Sequence, residues 1–202
     1  MMMAERGRGD PDTATRILDV AERLAQVRGF NGFSYADIAA ELGITKAALH
    51  YHFASKADLG EALIDRYAAR FSDALAAIDA AASAPPAKLR GYAELYADVL
   101  RNQRMCLCGM LAAEYPTLPG AMRASVVSFF DDNETWLQQV LEEGRGDGSL
   151  QFSGSTRDVA RMIISCLEGA MLVTRPYGDI PRFQDAAANL VAGLTSQTAT
   201  QH

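Results

Sequence analysis

The chain has 202 residues, of which 49% are hydrophobic and 22% are charged, and its formal net charge is −6 at pH 7. This balance is typical of a folded globular protein and excludes wholesale disorder, and no run of about 18 apolar residues predicts a membrane span. The three cysteines are too few for a disulfide framework, which indicates a reducing, cytoplasmic setting.

The first residues of the chain predict a tail followed by a helix. Residues 1–12 lack the apolar core of a secretion signal, so we expect a disordered tail. Residues 13–28 place Ile17, Ala21 and Leu24 on one helical face, and Gly29 predicts the end of that helix.

Residues 33–53 have the pattern of a helix-turn-helix, the two-helix unit that places its second helix in the DNA major groove. Ser34 and Thr45 are predicted caps of the two helices, and Gly43 lies where the chain must turn. The apolar positions that close the two helices against each other are Ile38, Leu42, Ile44 and Leu49. The pattern therefore predicts a DNA-binding domain over residues 13–55.

These motifs also carry a family resemblance. The sequences GF at 29–30, LGI at 42–44, LHYHF at 49–53 and SKADL at 55–59 resemble the N-terminal domain of TetR/AcrR-family transcriptional regulators. The resemblance implies an all-α fold of about nine helices, with a three-helix DNA-binding head and a helical ligand-binding and dimerisation body. His50 stands where the family usually has tyrosine, and Ser34-Tyr35 replaces the commoner Thr-Thr pair.

The motif supplies a set of candidate DNA contacts. Lys46 can donate to a guanine edge or to a phosphate, and the sequence leaves both partners open. Lys56 follows the predicted cap Ser55, so its ammonium and the exposed helix amides can share one phosphate. The candidate DNA-contacting residues are Ser34, Tyr35, Thr45, Lys46, Ala47, His50, Tyr51 and Lys56.

The net charge is carried by the second part of the chain. Residues 1–56 hold seven basic and seven acidic side chains, whereas residues 57–202 hold twelve and eighteen. The excess acid therefore lies away from the predicted DNA-binding surface, although the case for DNA rests on the motif rather than on charge.

Residues 56–197 are predicted to form the ligand-sensing and dimerisation domain. Pro85-Pro86 is expected to break the chain, and residues 144–149 are expected to form a turn-rich loop. Apolar periodicity predicts helices over residues 55–82, 87–102, 107–115, 119–143, 156–174 and 181–195.

The family resemblance implies a small-molecule pocket among the fourth to seventh helices. An aromatic or methionine side chain at helical spacing can equally belong to the core, and that alternative stays open for each candidate. Glu114 would orient a cationic or hydrogen-bonding effector if it were buried. The candidate ligand-binding residues are Phe71, Tyr92, Tyr96, Met105, Met110, Glu114, Phe130 and Trp136.

Cys106 and Cys108 suggest that the protein could respond to an oxidant or electrophile instead of a non-covalent ligand. Arg101 and Arg104 are close in sequence, and positive charge near a helix N-terminus lowers a thiol pKa. The segment resembles TetR-type repressors that sense electrophiles or oxidants, so a cysteine-based redox switch is the alternative. Inert core cysteines are the competing interpretation.

The penultimate predicted helix mixes branched and small residues in a pattern that suits close helix approach in a homodimer. Its candidate interface residues are Val159, Ile163, Cys166, Gly169, Ala170 and Val173. We expect a homodimeric repressor released from a palindromic DNA operator by a small-molecule effector. No cofactor, metal site, membrane partner or catalytic motif is expected, and a small-molecule-binding protein or enzyme with a vestigial head is a further alternative.

Overall fold

The computed structural model describes residues 11–195, and within that range the chain forms nine α-helices, two single 3₁₀ turns and no strand. The helices are α1 Pro11–Arg28, α2 Tyr35–Leu42, α3 Lys46–His52, α4 Lys56–Ala81, α5 Pro85–Arg101, α6 Leu107–Ala113, α7 Gly120–Gly146, α8 Thr156–Thr174 and α9 Ile180–Leu194. The all-α prediction is confirmed. Most of the predicted tail over residues 1–12, and residues 196–197 of the predicted second domain, lie outside the described residues.

Local hydrogen bonds explain where the head helices begin. The Asp37 carboxylate accepts from the Ser34 amide at 2.7 Å, and the Thr45 hydroxyl accepts from the Ala48 amide at 3.1 Å. Between α2 and α3 the chain turns at Gly43, whose φ of 66° favours glycine because a Cβ would strain that conformation. Both predicted caps and the predicted turn are therefore present.

The long helix α4 connects the head with the body. Its 26 residues span about 39 Å at 1.5 Å per residue. The Ser55 hydroxyl accepts from the Asp58 amide, and the Asp58 carboxylate accepts from the Ser55 amide, so this helix begins with a reciprocal pair of caps. One apolar core, which includes Ile17 of α1 and Leu63 of α4, runs continuously through head and body.

The predicted break between α4 and α5 is present over residues 82–84, but the two prolines expected to form it, and part of a second expected loop, are helical. Pro85 and Pro86 form the first turn of α5, where a missing N–H costs nothing because the amides there have no helical partner. Helix α7 continues to Gly146, although residues 144–149 were expected to form a loop. Gly144 allows the side chain of Leu150 to pack closely on this last part of the helix, since any Cβ there would collide with it.

The helices differ in length and in hydropathy. None of those within residues 11–195 combines the length and the hydropathy that a membrane crossing demands.

Candidate DNA-binding surface and effector cleft

The motif helix α3 turns one face to the core and the opposite face to solvent. Leu49 is completely buried, and it fixes this short helix against the rest of the head. Lys46, Ala47 and His50 are exposed on the other side, and Tyr51 keeps 67% of its surface accessible. The geometry gives α3 the outward polar face that a recognition helix needs.

Tyr35 was predicted as a DNA contact, but its hydroxyl is bonded within the head. The hydroxyl lies 3.0 Å from the Phe53 carbonyl and 2.6 Å from the Ser55 carbonyl, and burial followed by the charge of Asp58 raises its pKa to about 12. The Tyr35 ring also packs on the His50 ring at a centroid distance of 4.8 Å. Tyr35 thus secures the joint between α3 and α4, while Ser34 remains exposed beside it.

Lys56 also differs from its expected role as a phosphate ligand. Its ammonium donates to the carbonyls of Phe30 and Phe33 and lies 4.6 Å and 4.3 Å from the centroids of their rings. Burial lowers the pKa of Lys56, although Glu114 and Asp37 act in the opposite direction. These contacts hold the loop before α2 onto α4, and they correct the prediction of a free ammonium.

Glu114 corrects a second prediction, because it contacts the head instead of lining a ligand cavity. Its carboxylate accepts from the Phe30 amide at 2.7 Å and from the Asn31 amide at 3.2 Å. The Asn31 side chain in turn donates to the Thr117 hydroxyl at 2.8 Å. Gly29 allows this approach, since a Cβ at that position would meet the Glu114 carboxylate.

Two further contacts join the end of α1 to the body. The Met105 amide donates to the Gln26 carbonyl at 3.2 Å. The Arg175 guanidinium donates to the Val27 carbonyl and contacts the Met110 sulfur at 3.7 Å. The segment around α6 and the end of α8 therefore hold the C-terminal end of α1.

A cleft of about 570 Å³ opens between α6, α7 and α8. Such a volume suits a small organic molecule. Three of the sequence candidates, Met105, Met110 and Phe130, line it. The other lining residues include Gly109, Glu134, Arg161, Ile164, Glu168, Gly169 and Leu172.

The remaining aromatic candidates lie elsewhere. Phe71 and Trp136 line a second cavity of about 460 Å³ between α4 and α7. Tyr92 and Tyr96 are buried, with their hydroxyls 3.1 Å apart, and the Tyr92 hydroxyl donates to Asn133 at 3.1 Å. These two tyrosines belong to the core, which was the competing interpretation.

Glu168 is the functional candidate that the sequence analysis missed. Burial raises its pKa to about 6, and a hydrogen bond with the Cys106 thiol acts in the opposite direction. A signal was present in the sequence, since Glu168 is the only charged residue in the largely apolar stretch between Arg161 and Arg175. Gly109 of α6 leaves room for it, because any Cβ there would collide with the Glu168 carboxylate.

Cys106 and Cys108 lie in an environment that disfavours thiolates. Both are buried, and burial followed by the negative charge of Glu168 raises the pKa of each thiol. Arg101, expected to act in the opposite direction, instead bonds Glu94 and Asp98. The predicted electrostatic activation of these thiols is therefore absent from the described structure.

The six dimer candidates divide between the core and the surface. Val159 and Ile163 are buried within the subunit, whereas Cys166, Gly169 and Val173 are exposed and Ala170 is half-buried. Met162 extends this exposed face of α8, with 41% of its surface accessible, and Leu172, with 63% accessible, lies beside it at the cleft.

The outward face of α3, attached through α4 to a helical body with a cleft, defines a helix-turn-helix transcriptional regulator. The family model "Bacterial regulatory proteins, tetR family" matches residues 17–63, and the "Tetracyclin repressor-like, C-terminal domain" model matches residues 85–190. The chain belongs to the TetR family, and the resemblance seen in the sequence is confirmed.

Three proteins that are similar to this chain are described as transcriptional regulators or repressors. A TetR-family regulator from Agrobacterium tumefaciens has a similar structure, with a TM-score of 0.89 and 33% identity over 93% of this chain and 100% of its own. The transcriptional repressor DhaR of Mycobacterium sp. (strain GP1) is 28% identical over 72% of this chain and 73% of its own. The transcriptional repressor NemR of Escherichia coli K12 is 24% identical over 89% of this chain and 92% of its own.

Proposed function

We propose that the chain acts in the cytoplasm as a homodimeric repressor that leaves a palindromic operator when a small molecule occupies the cleft. The observation that carries the DNA-binding part is the exposed face of α3, opposite buried Leu49. Lys46, Ala47, His50 and Tyr51 are its proposed groove and phosphate contacts, flanked by Ser34 and Thr45. Residues 13–55 are the proposed head and residues 56–197 the proposed body.

The contacts of α6 support an effector-driven release. Met105 and Met110 line the cleft, and the same segment contacts the head through the Met105 amide and through Glu114. A ligand that fits the cleft better when α6 is displaced would shift the population towards a state with differently placed heads. No catalytic step is part of this proposal.

The exposed stripe of α8 supports the homodimer. Met162 and Val173 are large apolar side chains on one face of α8, and they are exposed in the single subunit at 41% and 57%. A second copy of α8 would cover them in a two-fold interface, and two such subunits would present two recognition helices to one duplex. The matching half-sites would lie roughly 34–36 Å apart, about one turn of DNA.

Selection from a pool of random DNA duplexes tests the proposal with the full-length chain. We expect an enriched inverted repeat with half-sites about one helical turn apart. The double variant Lys46→Ala/Tyr51→Ala should enrich no sequence while remaining folded by circular dichroism. If the unmodified chain also enriches no sequence, DNA recognition is wrong and a binding protein with a vestigial head is the better interpretation.

A further inference from the structure

One carboxylate in the cleft has no positive partner among the described residues. Glu168 lies on α8 in the wall of the cleft, and its buried Oε1 accepts no hydrogen bond within residues 11–195. The Cys106 thiol is a weak donor to this carboxylate and leaves Oε1 unpaired, so a ligand that supplies a cation or a stronger donor there gains free energy. We propose that the effector is an organic cation with an apolar body, such as an arylalkylammonium, whose charge lies against Glu168. This inference rests on the proposed function and names its effector class.

The other charges of the cleft are already paired. Arg161 donates from Nε to both carboxylate oxygens of Glu134 at 3.1 Å, and Arg157 lies 3.9 Å from the same carboxylate. The exposed Arg161 guanidinium is thus matched by the Glu134 carboxylate. Glu168 is therefore left as the uncompensated charge of the lining residues, and its sign selects for a cation rather than an anion.

The wall around Glu168 suits the apolar part of such a ligand. Met105, Met110, Ile164 and Leu172 contribute flexible and branched aliphatic surface, and Phe130 contributes an aromatic ring. Methionine side chains adapt to ligands of different shape, and an aromatic face attracts cations. A neutral ligand of the same shape would gain the apolar contacts without the attraction of the carboxylate.

The position of Glu168 also connects the ligand charge to the head. Its Oε2 lies so close to Gly109 that a Cβ there would collide with it, which places the carboxylate directly against α6. A cation drawn to Glu168 would therefore lie against α6, and the residue that follows this helix is Glu114, which accepts from the Phe30 amide of the head. Binding of the cation at Glu168 would therefore also displace α6.

Isothermal titration calorimetry with the full chain at pH 7.5 tests the inference. The two probes are 2-(1-naphthyl)ethylammonium and its neutral analogue 2-(1-naphthyl)ethanol, which differ chiefly in charge. We expect the ammonium to bind about tenfold or more tightly than the alcohol, because hydrogen bonds to charged groups are the stronger ones. The variant Glu168→Gln should remove that preference and leave the affinity for the alcohol unchanged.

Two further variants keep the test interpretable. Glu142→Gln removes an exposed carboxylate outside the cleft lining and should keep the full preference for the ammonium. Gly109→Ala displaces the Glu168 carboxylate and should weaken the preference by a second route. Thermal melting by circular dichroism confirms that each variant is folded.

The outcomes separate this inference from the proposed function. Equal affinities for the two probes, or a preference that persists in Glu168→Gln, would overturn the cationic effector even if the chain selects an operator. A clear preference for the ammonium together with no selected DNA sequence would support the cleft assignment while removing the repressor.

Discussion

The Glu114 carboxylate lies 2.7 Å from the Phe30 amide nitrogen, although 84 residues separate the two partners in sequence. This hydrogen bond joins the segment after α6 to the loop between α1 and α2. It gives any movement of α6 a direct route to the DNA-binding head.

Replacing Glu114 with alanine should therefore loosen the head. The Phe30 and Asn31 amides would lose their acceptor, and we expect the free energy of unfolding to fall by about 1–2 kcal/mol. Urea titration monitored by circular dichroism measures this change, with Glu142→Gln as a variant that should be neutral. In a DNA-release assay, Glu114→Ala should also respond less to any effector that releases the parent chain. Unchanged stability together with an unchanged response would contradict the role of this contact.

Lys46 and Lys56 form a matched pair with opposite expected behaviour. Lys46→Ala should weaken operator binding and reduce the slope of log affinity against log salt by about 1, with little change in stability. Lys56→Ala should leave the salt slope unchanged but lower the free energy of unfolding by about 1–3 kcal/mol, because two carbonyls lose their donor. Fluorescence anisotropy at several salt concentrations and urea titration measure the two quantities. If Lys56→Ala instead reduces the salt slope and keeps normal stability, Lys56 binds a DNA phosphate as the sequence predicted.

The features that the sequence predicts correctly depend on residues that are close to each other in the chain. The caps at Ser34, Thr45 and Ser55 depend on partners three residues away, so the sequence displays them directly. The helix-turn-helix, the long α4 and the all-α class follow from such short-range patterns. The helical end of α7 over residues 144–146 does not, because glycines predict a turn by short-range rules and only the fold shows Leu150 packed on Gly144.

The wrong predictions for Lys56 and Glu114 have a common physical cause. Lys56 meets Phe33 and Glu114 meets Phe30 only after helices distant in sequence have packed, so charge type alone pointed to DNA or to a ligand. Glu168 gives no short-range signal of a ligand contact, because its helix α8 carries the small and branched residues typical of a dimer interface. Its burial beside α6 became visible only in three dimensions.

The raised pKa of Glu168 predicts a pH-dependent stability. Its pKa moves from 4.5 to about 6 in the folded chain, so the folded state holds this proton more tightly than the unfolded state. The tighter proton binding adds about 2 kcal/mol to the free energy of unfolding. This contribution is fully present below about pH 4.5 and is lost as the pH rises through about 6. The other titratable groups facing Glu168 with raised pKa values are Cys106, Cys108, Tyr67, Tyr92 and Tyr96, which stay protonated in this range.

Glu168→Gln should remove this dependence. We expect the variant to gain stability over the parent chain as the pH rises from 4.5 to 7.5, by up to about 2 kcal/mol. Urea titrations at both pH values give the comparison, and Glu142→Gln should follow the parent chain. A difference between variant and parent that stays constant with pH would show that Glu168 titrates normally.

The cysteines provide a test of the alternative redox input. Cys106 and Cys108 are buried with raised thiol pKa values, so alkylation in the native state should be at least about 100-fold slower than in urea-unfolded chain. Mass mapping after timed exposure to iodoacetamide measures the rate at each site. Fast native labelling of Cys106, accompanied by loss of operator binding that Cys106→Ser prevents, would favour the redox switch over the non-covalent effector.

Val173 and Val127 offer matched positions for testing the dimer. Both are exposed in the single subunit, at 57% and 46%, but Val173 lies on the proposed α8 interface and Val127 on α7. A charge at Val173 would be buried against the partner without a counter-ion, so Val173→Asp should dissociate the dimer, whereas Val127→Asp should not. Sedimentation equilibrium should give twice the 21.8 kDa subunit mass for the parent chain and Val127→Asp, and one subunit mass for Val173→Asp. The dissociated variant should also bind the inverted repeat more weakly, since only a dimer places two recognition helices on one duplex. A dimeric Val173→Asp would move the interface away from this face of α8.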